Sequence, residues 1–159
     1  MLALENIRTL IIAGLSAHVG QEVVVTNGTG DKPEGAWITC DFSDVFHSSR
    51  GFPVVMQLGD KLVKSETVHF TMTYLSFDDD NVVRLQNAWT ARDWFKSKGH
   101  AELKEKINVV VAKVESVTNR DIQNGTVWER RQGFDVEFRT LDILESDLEW
   151  IEQTKIQRS

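Results

Sequence analysis

A single cysteine, Cys40, rules out an intramolecular disulfide in this chain of 159 residues. It stands in the alternating run AWITCDF, where a small buried residue serves packing, and a lone thiol of this kind points to a reducing compartment. Positive charge is also scarce: 18 Lys and Arg against 24 Asp and Glu leave a net charge of −6. Domains that grip nucleic acid over their whole surface are usually basic, which argues against that class and leaves room only for a local basic patch. The opening MLALENIRTLIIAGLSAHVG has Glu5 where a signal peptide carries basic residues, and polar positions interrupt its apolar stretch. Ile7, Leu10, Ile11 and Leu15 fall instead at helical spacing, so the segment is expected to be an amphipathic first helix. With no secretory route indicated, the sequons at Asn27 and Asn124 mark turns rather than glycosylation sites.

Motifs that carry chemistry are missing too. Gly30 and Gly35 have the gap of a phosphate-binding loop, but Ala36 and Trp37 occupy the positions where Lys and Ser or Thr would hold phosphate and magnesium. Asp78, Asp79 and Asp80 open like a calcium loop, yet Val82 and Trp89 fall where ligands are required; these aspartates suit a helix start, favoured by the helix dipole. His18, His47, His69 and His100 are scattered singly, without zinc-site spacing. HSSRG (47–51) sets serines beside a histidine but lacks the strand-to-helix elbow of a nucleophile. No enzyme activity and no cofactor are expected.

What is present is a folded domain. The 41% hydrophobic and 26% charged content fits a soluble globular chain rather than a disordered or membrane-embedded one. At this length one domain buries roughly two thirds of the surface its unfolded chain would expose. After the first helix come two short strands, EVVVT and AWITCDF, separated by the turn-rich loop 27–35. SDVFHSSRGFP (43–53) has turn residues but no period and is expected to be an irregular, projecting excursion. KLVKSETVHFTMTYLSF (61–77) is a long strand that turns Val68, Phe70, Met72 and Tyr74 to one face and His69, Thr71, Thr73 and Leu75 to the other. A helix from the Asp78–Asp80 start follows, with Val82, Leu85, Ala88, Trp89 and Phe95 as its apolar stripe, then a short helix HAELKEKI. NVVVAKVESVTNRDI is expected as one strand, leading through a QNGT turn into a last strand, with the tail from Glu145 open to either helix or strand. The order α-β-β-β-α-α-β-β plus tail implies a single α+β domain, residues 1–159, with an antiparallel or mixed sheet covered by helices on one face.

Two features resist a purely internal explanation. Glu129, Arg130 and Arg131 run straight into the period-two strand of Phe134, Val136 and Phe138, and they cannot all face its core. Either they pair with a neighbouring molecule and set register, or they are a solvated strand end. Trp94 lies about 140° around the helix from Trp89, and is expected to face outward, as a protein contact or a partly buried side chain.

The run VWERRQGFDVEFR resembles the phage neck or tail terminator proteins, through Trp128, Glu129, Arg130, Arg131, Gly133, Phe134, Asp135, Val136 and Arg139. The order of elements upstream agrees over nearly the whole chain, except in the segment 43–60. The resemblance implies a structural virion protein of the neck or tail, assembled in the host cytoplasm as a ring of six copies. Such a ring ends the tail tube and docks onto the head connector or stopper proteins; the tail sheath is a further candidate partner, and a membrane is not. On this reading Glu129, Arg130, Arg131 and Trp94 belong to the subunit interface. Genomic DNA passes through without tight binding, along a lumen to which Glu145, Asp147, Glu149 and Glu152 lend acidity. The alternatives are another neck or tail-completion protein of similar fold, and a stand-alone binding module using residues 43–53 as a ligand loop.

Overall fold

The structure, a computed structural model, describes residues 2–26, 33–43, 46–48 and 51–147. Helix α1 (Leu4–Val19) buries Ile7, Ile11 and Leu15, the spacing read from the sequence, and ends at Gly20, whose left-handed φ of 74° lets its N–H reach the Ser16 carbonyl. Strands β1 (Glu22–Val25) and β2 (Trp37–Phe42) pair in parallel. Two further short strands, β3 (His47–Ser48) and β4 (Val54–Leu58), precede the long β5 (Lys61–Phe77). Helices α2 (Asn81–Lys96) and α3 (Lys98–Ile107) follow. The chain then runs through β6 (Val110–Val114), β7 (Thr118–Asn119), β8 (Ile122–Asn124) and β9 (Val127–Glu129) into β10 (Gln132–Asp147). The main sheet is mixed and mostly antiparallel, in the order β1-β2-β5-β10-β6, with β3 and β4 against β5 and β7 against β10. Helices and sheet together make the α+β fold expected from the element order.

The backbone of the sheet is the pair β5 and β10, in unbroken register from Gln132 opposite Ser76 to Asp147 opposite Lys61. Period-two alternation puts Phe70, Met72 and Tyr74 of β5 on the same face as Phe134, Val136 and Phe138 of β10, and all six are buried against the helices. Each such side chain contributes roughly 1.5–3 kcal/mol by leaving water. The rings interlock as well: Phe70 lies 5.2 Å from Phe138, Tyr74 5.2 Å from Phe134 and 4.8 Å from Phe95.

Helix α2 starts where the aspartates suggested. Asp80 caps it, accepting the Val82 N–H at 2.8 Å and the Val83 N–H at 3.2 Å. Its buried face is not the expected one, however. Trp94 is only 1% exposed and Trp89 is 59% exposed, the reverse of the expectation, and Val82 and Leu85 also face solvent. The reason lies in the neighbours. Gly14 of α1 and Gly99 of α3 both abut the Trp94 indole, and Ala88 and Ala91 let α2 settle close beside it. Trp94 is therefore a core residue, not an interface one. Gly99, which the sequence sets between the two helices, sits inside α3, where it abuts the Trp94 ring.

Other segments also depart from the expected layout. The excursion 43–53 is anchored in part, because His47 and Ser48 pair with His69 and Val68 and Phe46 stacks 5.0 Å from Phe70. The expected single strand 108–122 is broken into β6, β7 and the start of β8, since β6 and β7 must both meet β10 across an intervening irregular stretch. β2 flanks β5 from Phe77 to Met72, β3 follows at His69 and Val68, and β4 flanks it from Ser65 to Lys61. The sheet β4-β5-β10 continues there as a three-stranded arm whose residues are largely exposed. Glu145 and Asp147, part of the ambiguous tail, prove to be the end of β10 in this arm; Glu149 and Glu152 lie outside the described residues.

Candidate functional site

The charged run does not open the core strand. Glu129 ends β9, which pairs only with β8, and Arg130 and Arg131 form the link from that small hairpin into β10. The hairpin turn sets their partners. Asn124 faces Val127 across Gly125, whose φ of 69° meets the demand of the tight turn. Continuing that register outward brings Asp121 beside Arg130.

Asp121 is the hub of the resulting latch. One carboxylate oxygen accepts the Arg131 backbone N–H at 2.7 Å, and the other takes the Arg130 guanidinium at 3.0 Å. Asn119 closes the local turn, with its side-chain oxygen accepting the Asp121 N–H at 3.0 Å. A second layer ties the latch to the sheet. Arg131 Nε donates to the Arg120 carbonyl, the Arg120 N–H donates to the Arg131 carbonyl at 3.0 Å, and the Arg120 guanidinium reaches Asp135 of β10 at 2.9 Å. Thr73 of β5 donates to that same Asp135 oxygen at 2.7 Å. Gly133 is required here, since a Cβ would stand 2.6 Å from Leu75 Cδ2 and 2.9 Å from the Tyr74 carbonyl.

Both carboxylates are held below the usual range. For Asp121 the chief cause is the Arg131 backbone hydrogen bond, helped by the side chains of Arg130 and Asn119 against a desolvation that opposes them. For Asp135 burial pushes upward, but the hydrogen bonds from Arg120 and Thr73 and the Arg120 charge outweigh it. Arg130 and Arg131 are thus partnered within the chain: Asp121 holds Arg130, and Glu129, their neighbour in sequence, lies 3.7 Å from Arg131.

What the latch positions is a small exposed hairpin. Ile122, Val127 and Trp128 stand out from it, with the Arg130 guanidinium 5.3 Å over the Trp128 ring. Beside it opens a cleft of about 480 Å³, bordered by the stacked rings of Trp37 and Phe77, by Asp78 and Asp79, and by Trp128. This arrangement presents a mixed aromatic and charged surface. Among the described residues no group of three or more His, Cys, Asp or Glu is placed to hold a metal ion. None of their helices is long and apolar enough to cross a membrane. Sequence reasoning missed Asp121, Arg120 and Asn119; the Asn124-Gly125 turn was the signal that could have found the first.

Comparison with known families agrees with the element order. The family model of the phage neck terminator protein matches residues 5–159. The chain belongs to that family, and so is a structural protein of the virion neck or tail that works in contact with other neck and tail proteins. No curated protein matches it.

Proposed function

We propose that this phage neck terminator protein works as one subunit of a closed ring, of six copies, that ends the growing tail tube and joins it to the connector or stopper proteins of the head. The observation that carries the reading is the latch. Five residues, Arg120, Asp121, Arg130, Arg131 and Asp135, are spent on holding an exposed aromatic hairpin in one orientation against the sheet. An interface anchored on Trp and Arg gains affinity when those groups are pre-organised. Glu129, Arg130 and Arg131 then act at the subunit or connector contact through the hairpin they brace, and Arg130, 57% exposed in its side chain, remains able to make a second contact.

The ring leaves a path for DNA, and its lumen is neutral or acidic. A net charge of −6 per chain, repeated around a ring, repels phosphates that a basic lumen would hold. The test is assembly. Light scattering and electron microscopy on the purified chain, alone and with tail tubes, are expected to show closed rings and tubes capped at one end; a chain that stays monomeric and leaves tubes uncapped overturns the reading.

A further inference from the structure

Among the described residues, apolar side chains are also exposed at two places away from the hairpin, on the arm and on α2. The first is one face of the arm. Registers between β4, β5 and β10 put Val54, Met56 and Leu58 on the same side as Val63 and as Leu141 and Ile143, and apart from the half-buried Val63 each of these is at least 44% exposed. The second is the outward stripe of α2, formed by Val82 at 68%, Leu85 at 43% and Trp89 at 59% exposure. Soluble chains seldom expose apolar groups in rows like these unless something packs on them.

We propose that the arm face of one subunit packs on the α2 stripe of the next, so that the ring is built by repetition of this contact. The inference rests on the ring reading above and names its interface. The shapes match: Val82 to Trp89 spans about 10 Å of helix. Val54 to Leu58 spans about 13 Å of strand, and three strands are about 10 Å across, the width of one helix. A helix on a sheet face is also how the chain already builds its own core.

Charge sets the direction. Among the described residues, the arm's far end carries Asp60, Glu145 and Asp147 against Lys61, with Lys64 farther back on the opposite face, whereas α2 closes with Arg92 and Lys96, followed by Lys98, against Asp93. An acidic arm end therefore meets the basic end of a neighbour's helix. In that arrangement Glu145 and Asp147 face a neighbouring subunit rather than the lumen, whose acidity then rests on net charge. Because the two surfaces differ, the contact is heterologous, and it closes into a ring where the rotation per subunit permits.

Cysteine cross-linking tests this. Chains carrying Met56→Cys are mixed with chains carrying Leu85→Cys and oxidised mildly under assembly conditions; both sites are exposed, and matching thermal melts confirm folding. A disulfide-linked dimer that forms in the mixture and in neither variant alone, with a ladder of higher species from the double variant, supports the contact. Met56→Cys linking to itself shows an arm-to-arm contact and overturns it. Rings that form normally without any cross-link also overturn it, leaving the arm to the tube protein or to residues 148–159, while the ring reading survives. Absence of rings under every condition, tail tubes included, removes both.

Discussion

Gly14 lies against the indole of Trp94 so closely that no Cβ fits between them, and Gly99 abuts the same ring system, where a Cβ would stand 2.5 Å from Cδ2. Two helices thus surrender their side chains to admit one from a third. Gly14→Ala and Gly99→Ala are expected to destabilise by about 1–3 kcal/mol through overpacking. Trp94→Ala is expected to cost about 3–5 kcal/mol, and Trp89→Ala far less. Chemical denaturation midpoints decide it, and equal effects at Trp89 and Trp94 would sink the packing account.

Asp135 is charged in the folded chain at a pH where an unfolded aspartate would already be taking up protons. Its contribution to stability is complete above the unfolded value of roughly 4 and disappears as pH falls through the lower folded one. Asp135→Asn is therefore expected to be less stable than the parent near neutrality, with the gap narrowing in acid. Urea midpoints measured across that range check the sign; a gap that stays constant contradicts it.

Removing the hub of the latch should loosen the hairpin without touching the core. In Asp121→Ala the Arg131 N–H loses its acceptor and Arg130 its partner. Amide exchange is expected to quicken from Ile122 to Arg131 and to stay slow at Phe134, Val136 and Phe138. Uniform quickening, or none, would show that the latch has a different role.

Cys40 is fully buried, and burial pushes its thiol up to about 12. Thiolate is the reactive form, so the native protein is expected to resist alkylation at mildly alkaline pH and to react after denaturation. Stoichiometric labelling of the folded chain, read by mass, would refute this.

Binding to duplex DNA at physiological salt is expected to be negligible. A mobility shift at micromolar protein that weakens steeply with salt would contradict the neutral or acidic lumen.

The alternation of Val68, Phe70, Met72 and Tyr74, and of Phe134, Val136 and Phe138, was by itself enough to identify the core face of both long strands, because a period of two leaves one face for the helices. The helix spacing of α1 and the aspartate start of α2 were equally local signals. The orientation of α2 was not. Its sequence offers Trp89 and Trp94 on different sides, and only the glycines of two other helices decide which one is admitted. Asp121 and Arg130 likewise meet through a turn between them, so the partner of a charge nine residues away depends on hairpin register rather than on proximity in the chain. The arm emerged only from pairing: Val54 to Leu58 became a strand because β5 runs on past the core and offers a free edge, a long-range opportunity that no short stretch of sequence records.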